Sequence, residues 1–167
     1  MKKVILAFAI TITTLTSFAQ TKDVVDIAIG SKDHTTLVAA VKAADLVATL
    51  KSEGPFTVFA PTNAAFDKLP KGTLESLLNP EAKATLAGIL TYHVFAGKLN
   101  AESVVAAIKK GKGKTELTTV NGAKITASLE GDKVILTDVK GGKAIVTATD
   151  LMGSNGIVHV IDAVLLP

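Results

Sequence analysis

An α+β fold follows from two observations on this 167-residue sequence. Apolar residues recur at helical spacing through the first half, and from Thr115 onward the period changes to two. In addition, the final segment from Ile157 to Leu166 is apolar on both faces, which places it at the centre of a sheet covered on each side.

Asp23 to Ile29 reads as a short helix that Gly30 ends. Thr36 to Leu50 reads as one longer helix. Leu37, Val41, Ala44 and Ala48 form its apolar face, and Lys42, Asp45 and Thr49 its wet face. Gly54-Pro55 breaks the chain, and Phe56 to Ala60 forms a buried strand that Pro61 stops. Asn63 is placed to cap a short helix containing Ala64, Ala65, Phe66 and Leu69. Thr73 opens another short helix, and Asn79-Pro80 starts one carrying Ala82, Leu86, Ile89, Leu90 and His93 on one face. Asn100 caps a further helix, with Glu102 in its first turn and Lys109-Lys110-Gly111 at its end, as the helix dipole favours.

The strands follow. Asn121-Gly122 predicts a hairpin turn between strands at 116–120 and 123–129. Ile125, Ala127 and Leu129 alternate with Lys124, Thr126 and Ser128, giving that sheet one wet face. Glu130-Gly131-Asp132-Lys133 turns into a strand at 134–137, Gly141-Gly142 precedes one at 144–148, and Gly153-Ser154-Asn155-Gly156 leads into the last.

The chain start has a different design. Met1-Lys2-Lys3 is followed by an apolar stretch from Val4 to Ile12 and by Ser17-Phe18-Ala19, the layout of a secretory signal peptide cleaved before Gln20. A membrane span needs about 20 apolar residues, and this stretch is shorter and hydroxyl-rich. Residues 20–167 are then expected as one domain, secreted to the periplasm or the cell exterior, with no membrane span in the mature chain.

Composition narrows the chemistry. There is no cysteine, which removes disulfides, thiol catalysis and thiolate metal sites together. All 18 basic residues are lysine, and without Lys2 and Lys3 the charge is 16 lysines against 15 acids. A near-neutral chain without arginine is poorly suited to nucleic acid, which is bound by phosphate neutralisation and guanidinium contacts. The one basic run, Lys109-Lys110-Gly111-Lys112-Gly113-Lys114, reads first as a helix end and solvated loop, with contact to acidic glycans as the sharper alternative. His34, His93 and His159 are scattered without metal-ligand spacing, so no metal and no cofactor is expected. No Gly-x-Ser-x-Gly elbow or phosphate loop occurs.

Three ordered segments resemble one family. The run from Gly54 to Phe66 (Gly-Pro-Phe-Thr-Val-Phe-Ala-Pro-Thr-Asn-Ala-Ala-Phe) looks like the first signature block of the fasciclin (FAS1) domain. The run from Asn155 to Pro167 resembles its second, and Leu90-Thr91-Tyr92-His93-Val94 its central Tyr-His motif. The resemblance covers about Lys22 to Pro167. It implies a wedge-shaped β-sandwich with helices packed at one side, an extracellular role in adhesion or matrix attachment, and no established catalytic residues. In animal members the Tyr-His region is associated with integrin-dependent adhesion, and some FAS1 proteins bind carotenoids.

Individual residues are weighed accordingly. Tyr92 and His93 are singled out as partner-binding candidates, with support of the fold as the competing role. Thr62, Asn63, His159 and Asp162 are read as structural members of the signature blocks. His159 and Asp162 are three apart, so a regular strand sends their side chains to opposite faces and disfavours a catalytic pair. The expected function is an adhesion or matrix-interaction module without catalysis, whose partner is a protein or glycan of the cell surface or matrix. Binding of an apolar small molecule such as a carotenoid ranks second, and hydrolysis of extracellular polymer third.

Overall fold

The computed structural model describes residues 22–167. The expected signal peptide at 1–19 lies outside the described residues. The helices are α1 (Val24–Ile29), α2 (Thr35–Ala43), α3 (Val47–Lys51), α4 (Asn63–Asp67), α5 (Thr73–Leu78), α6 (Lys83–Tyr92) and α7 (Ala101–Lys110). The strands are β1 (Phe56–Pro61), β2 (Val94–Ala96), β3 (Lys114–Thr118), β4 (Lys124–Glu130), β5 (Lys133–Thr137), β6 (Lys143–Gly153) and β7 (Gly156–Ile161). The fold is α+β, with strand order β2-β1-β7-β6-β5-β4-β3.

Strand β6 belongs to both halves of the sheet. Its start, Lys143 to Ile145, pairs with β5, while Val146 to Gly153 pairs with β7 through two register shifts. These bulges bend the strand and let one ribbon fold over into a sandwich. Between the two halves lies one core, built from Phe59, Phe95, Ile125, Leu136 and Ile161 and closed by Val104 and Ile108 of α7. A second core lies where α1 to α6 cover the other face of β1 and β7, with Val24, Leu37, Leu86, Leu90 and Val158.

This three-layer arrangement explains why the last strand is apolar on both faces. Strand β7 is buried at every position, sending Ile161 into one core and Val158 into the other. It runs parallel to β1 and antiparallel to β6.

Several elements differ from the sequence expectation. The expected helix from Thr36 to Leu50 is two helices, because Asp45 adopts a left-handed conformation (φ 60°) and Leu46 donates its N–H to Val41 at 3.0 Å. A short polar residue tolerates that conformation, and the turn satisfies the carbonyls at the end of α2. The hairpin is wider than a two-residue turn: Thr118 pairs with Lys124, and Thr119 and Ala123 bond across the loop at 2.8 Å. Val120 leaves the ladder to donate to Val94, which explains the extra length. Asn79 makes no side-chain cap; Pro80 to Ala82 forms a 3-10 turn that leads into α6. Strand β7 stops at Ile161, because Asp162 turns its backbone and carboxylate onto Ile145.

Among the described residues no helix is long and apolar enough to cross a membrane.

Candidate functional site

The first signature block joins β1 to α4. Thr62, not Asn63, is the N-cap of α4; its Oγ1 accepts from Ala65 N–H at 3.3 Å. Asn63 instead reaches across to α2. Its Oδ1 accepts from Thr36 N–H at 3.0 Å and from the Thr35 hydroxyl at 3.2 Å, and its Nδ2 donates to the Lys32 carbonyl at 3.0 Å. Asn63 thus caps a helix 27 residues away in sequence, satisfying an N–H that has no partner within α2.

The Tyr-His motif sits at the end of α6. Tyr92 is 0% exposed and His93 3% exposed. The Tyr92 hydroxyl donates to the Lys124 carbonyl at 3.1 Å. His93 Nδ1 donates to the Ile89 carbonyl at 2.8 Å, which fixes the tautomer, and its bare Nε2 accepts the Leu165 N–H at 3.0 Å. Burial drives the His93 pKa down to about 4, against the Ile89 carbonyl and the nearby Asp138 charge, which both favour the cation. Both side chains are enclosed by the fold. That enclosure favours the competing role for Tyr92 and His93, support of the fold.

The second signature block holds His159 and Asp162. His159 is 2% exposed and stacks on Phe59 with ring centroids 5.2 Å apart. Its Nε2 donates to the Leu99 carbonyl at 2.7 Å, and its Nδ1 accepts from Asp150 N–H at 3.3 Å. Asp162 accepts from Ile145 N–H at 2.7 Å and pairs with Lys68 at 3.2 Å. Burial works to raise its pKa, but the Ile145 amide and the Lys68 ammonium outweigh burial and hold it below the ordinary carboxylate range. His159 and Asp162 therefore serve different partners. Asn63 and His159 do not share a hydrogen bond either.

The structural roles of three polar residues escaped the sequence reading. Asp138 is buried and accepts from Lys140, Gly142 and Leu166 N–H at 2.9, 2.7 and 3.0 Å, so with His93 it holds two consecutive amides of the C-terminal segment. The run Asp138-Val139-Lys140-Gly141-Gly142 carries the signal: an aspartate that bonds the backbone of its own turn, followed by glycines. Asn155 accepts from Val24 N–H at 3.0 Å and donates to Leu50 and Ser52 carbonyls, tying α1 and α3 to the β6–β7 turn. Buried His34 meets the Ser31 hydroxyl through Nδ1 at 2.8 Å, while its Nε2 has no hydrogen-bond partner. Burial lowers its pKa, opposed by the Ala60 carbonyl and the Asp33 charge.

Two apolar cavities flank α1. One, of about 50 Å³, lies under α1 and α2 against Leu50, Val58, Leu90 and Val94. The other, of about 330 Å³, lies between Ile27 and His34 on one side and Ala148, Leu151 and Val160 on the other.

A fasciclin domain model matches residues 32–167. Protein sll1483 of Synechocystis is 50% identical over 144 residues, spanning 86% of this chain and 73% of that protein. The transforming growth factor-beta-induced protein ig-h3 of Sus scrofa is 35% identical over 133 residues, spanning 79% of this chain and 17% of its own length. Among solved structures, a FAS1 domain pair from the insect cell adhesion molecule fasciclin I aligns with a TM-score of 0.58 at 23% identity, covering 78% of this chain and 43% of that one.

Proposed function

This chain belongs to the fasciclin family, and from that membership we propose that it works as an adhesion or surface-interaction module without catalysis. One observation carries the reading. The polar side chains of the signature blocks are engaged with backbone amides and carbonyls of the fold, with no nucleophile–base pair among them. Groups fixed in this way hold the wedge together and leave contact to its outer surface. An adhesion role is in keeping with the name of the insect cell adhesion molecule whose domains share the fold. The leader-like start, with cleavage before Gln20, fits export of residues 20–167 to a surface or matrix partner.

Deletion of the gene, with attachment of cells to surfaces and to each other measured, tests the proposal. Reduced attachment, restored by the exported protein, is expected. Unchanged attachment across growth conditions removes the reading.

A second reading rests on the cavity of about 330 Å³ beside α1, whose walls are mainly aliphatic. That volume lies at the small end of small-molecule pockets and suits a small apolar ligand, or one end of a longer one such as a carotenoid. Solvent extraction of protein purified from its host distinguishes it, since protein without an extractable ligand speaks against it.

A further inference from the structure

Lys109, Lys110, Lys112 and Lys114 are all exposed. The ion pairs of the described residues engage Lys51, Lys68, Lys83, Lys124 and Lys143, and none of these four. In a chain whose net formal charge is only +3, this one turn concentrates four ammonium groups, with the Glu116 carboxylate near enough to Lys114 to feel its charge.

The turn has a defined shape. Gly111 donates to Ala107 at 2.9 Å, Lys112 to Lys109 at 3.2 Å and Gly113 to Ile108 at 2.9 Å, with the Ile108 side chain in the core. Lys112 and Gly113 both have positive φ, at 58° and 101°. A Cβ on Gly111 would lie 2.0 Å from the Lys114 carbonyl oxygen, so the chain folds closely onto itself there. The backbone carrying the lysines is set before any partner arrives, which lowers the ordering cost of a contact.

Next to this turn lies a depression of about 230 Å³ bounded by Gly111, Lys114, Thr115, Glu116 and Thr126. Its size is below the ~300 Å³ at which drug-sized pockets begin, on the scale of a sugar residue. The Glu116 carboxylate on its rim is held by Lys124 at 2.7 Å, which also keeps its pKa low. At the same end of the sheet, Glu130 is held by Lys143 at 2.8 Å and stands opposite Lys133 in the β4–β5 ladder.

We propose that this end of the sandwich, the α7–β3 turn with the adjoining depression, is the contact surface for an acidic polysaccharide. The ammonium groups meet its carboxylates or sulfates, and the rim of the depression offers hydroxyl and charged partners to the sugar. The proposal rests on the surface-interaction reading and adds the chemistry of the partner. Nucleic acid fits less well: the turn has no arginine fork to grip phosphates and no aromatic platform on which bases stack. A bilayer fits less well too, because Gly111, Gly113 and Thr115 flank the lysines and nothing apolar is offered for insertion.

The test measures binding of the purified protein to immobilised alginate, with dextran as the uncharged control, across a salt series. Two variants of equal charge are compared. One replaces Lys109, Lys110, Lys112 and Lys114 by Gln; the other replaces Lys32, Lys71, Lys98 and Lys140 by Gln. Circular dichroism and thermal midpoints establish that both remain folded. Wild type is expected to bind alginate in a salt-sensitive way, the turn variant to bind roughly tenfold or more weakly, and the control variant to change by less than about threefold. Equal losses in both variants, absence of wild-type binding, or tighter binding to duplex DNA or phosphatidylglycerol vesicles overturns the proposal. Loss of alginate binding in the turn variant with cell attachment intact leaves the polysaccharide contact standing and separates it from attachment, which then runs through another surface.

Discussion

The imidazole of His93 accepts the backbone N–H of Leu165 at 3.0 Å, joining the end of α6 to a segment 72 residues further along the chain. The acceptor exists only while the ring is neutral, so this contact makes stability depend on pH. Burial lowers the native pKa to about 4, from 6.5 in an exposed histidine. The unfolded chain therefore takes up a proton where the native state does not. His93 leaves stability untouched above about pH 6.5, and the cost of acidification grows as pH falls toward 4, reaching about 3 kcal/mol. Urea unfolding between pH 7 and 4.5 measures it. His93→Gln is expected to lower stability at pH 7 and flatten this profile, with a residual slope from His34, whose pKa burial also lowers. A profile parallel to wild type contradicts the assignment.

Asn63 and Thr62 are neighbours that serve different helices, and their substitutions are expected to differ. Thr62→Ala removes one cap bond of α4 and is expected to cost about 1 kcal/mol. Asn63→Ala removes three bonds to the segment from Lys32 to Thr36 and is expected to cost about 2–3 kcal/mol. Amide exchange reports the difference directly: Thr36 N–H loses protection in the Asn63 variant and keeps it in the Thr62 variant.

Tyr92→Phe separates a structural role from a contact role. The variant keeps the ring in its site and loses only the bond to the Lys124 carbonyl, an expected cost of about 1 kcal/mol. Because Tyr92 is buried, surface attachment by the folded variant is expected to match wild type. Lost attachment at unchanged stability would assign Tyr92 to the contact surface.

Two glycines predict opposite signs. A Cβ on Gly156 would lie 2.2 Å from the Phe56 carbonyl oxygen, where β7 passes against β1. Gly156→Ala is expected to cost more than about 3 kcal/mol, because two central strands would have to part. Gly88 lies within α6 with open space where a Cβ would go, and Gly88→Ala is expected to raise stability by about 0.5–1 kcal/mol. Thermal midpoints of the two variants, measured side by side, check both directions.

The periodicities that set the fold class were legible because they record burial, and burial follows the layers. The two apolar faces of β7 are the clearest case. What stayed hidden depended on partners distant in sequence. Nothing local says that Asn63 caps α2 instead of its own helix, or that the amide meeting His93 belongs to Leu165. Asp45 looked like one more polar residue on a wet helix face, since a left-handed backbone leaves no trace in periodicity. Tyr92 and His93 stood out as a motif, but a motif marks constraint without saying whether the constraint comes from outside or from the fold. The lysine turn was visible as composition; its rigid backbone and the adjoining depression were not.

The parallel pairing of β1 with β7 matches Phe56 with Gly156, an offset of 100 residues. A chain interrupted before that partner arrives leaves β1 with one unpaired edge and a row of apolar side chains facing water. Assembly therefore waits on the last strand: long loops must close before the central contacts form, which slows folding. Until β7 is in place, neither core can close, because the same strand sends Ile161 into one and Val158 into the other.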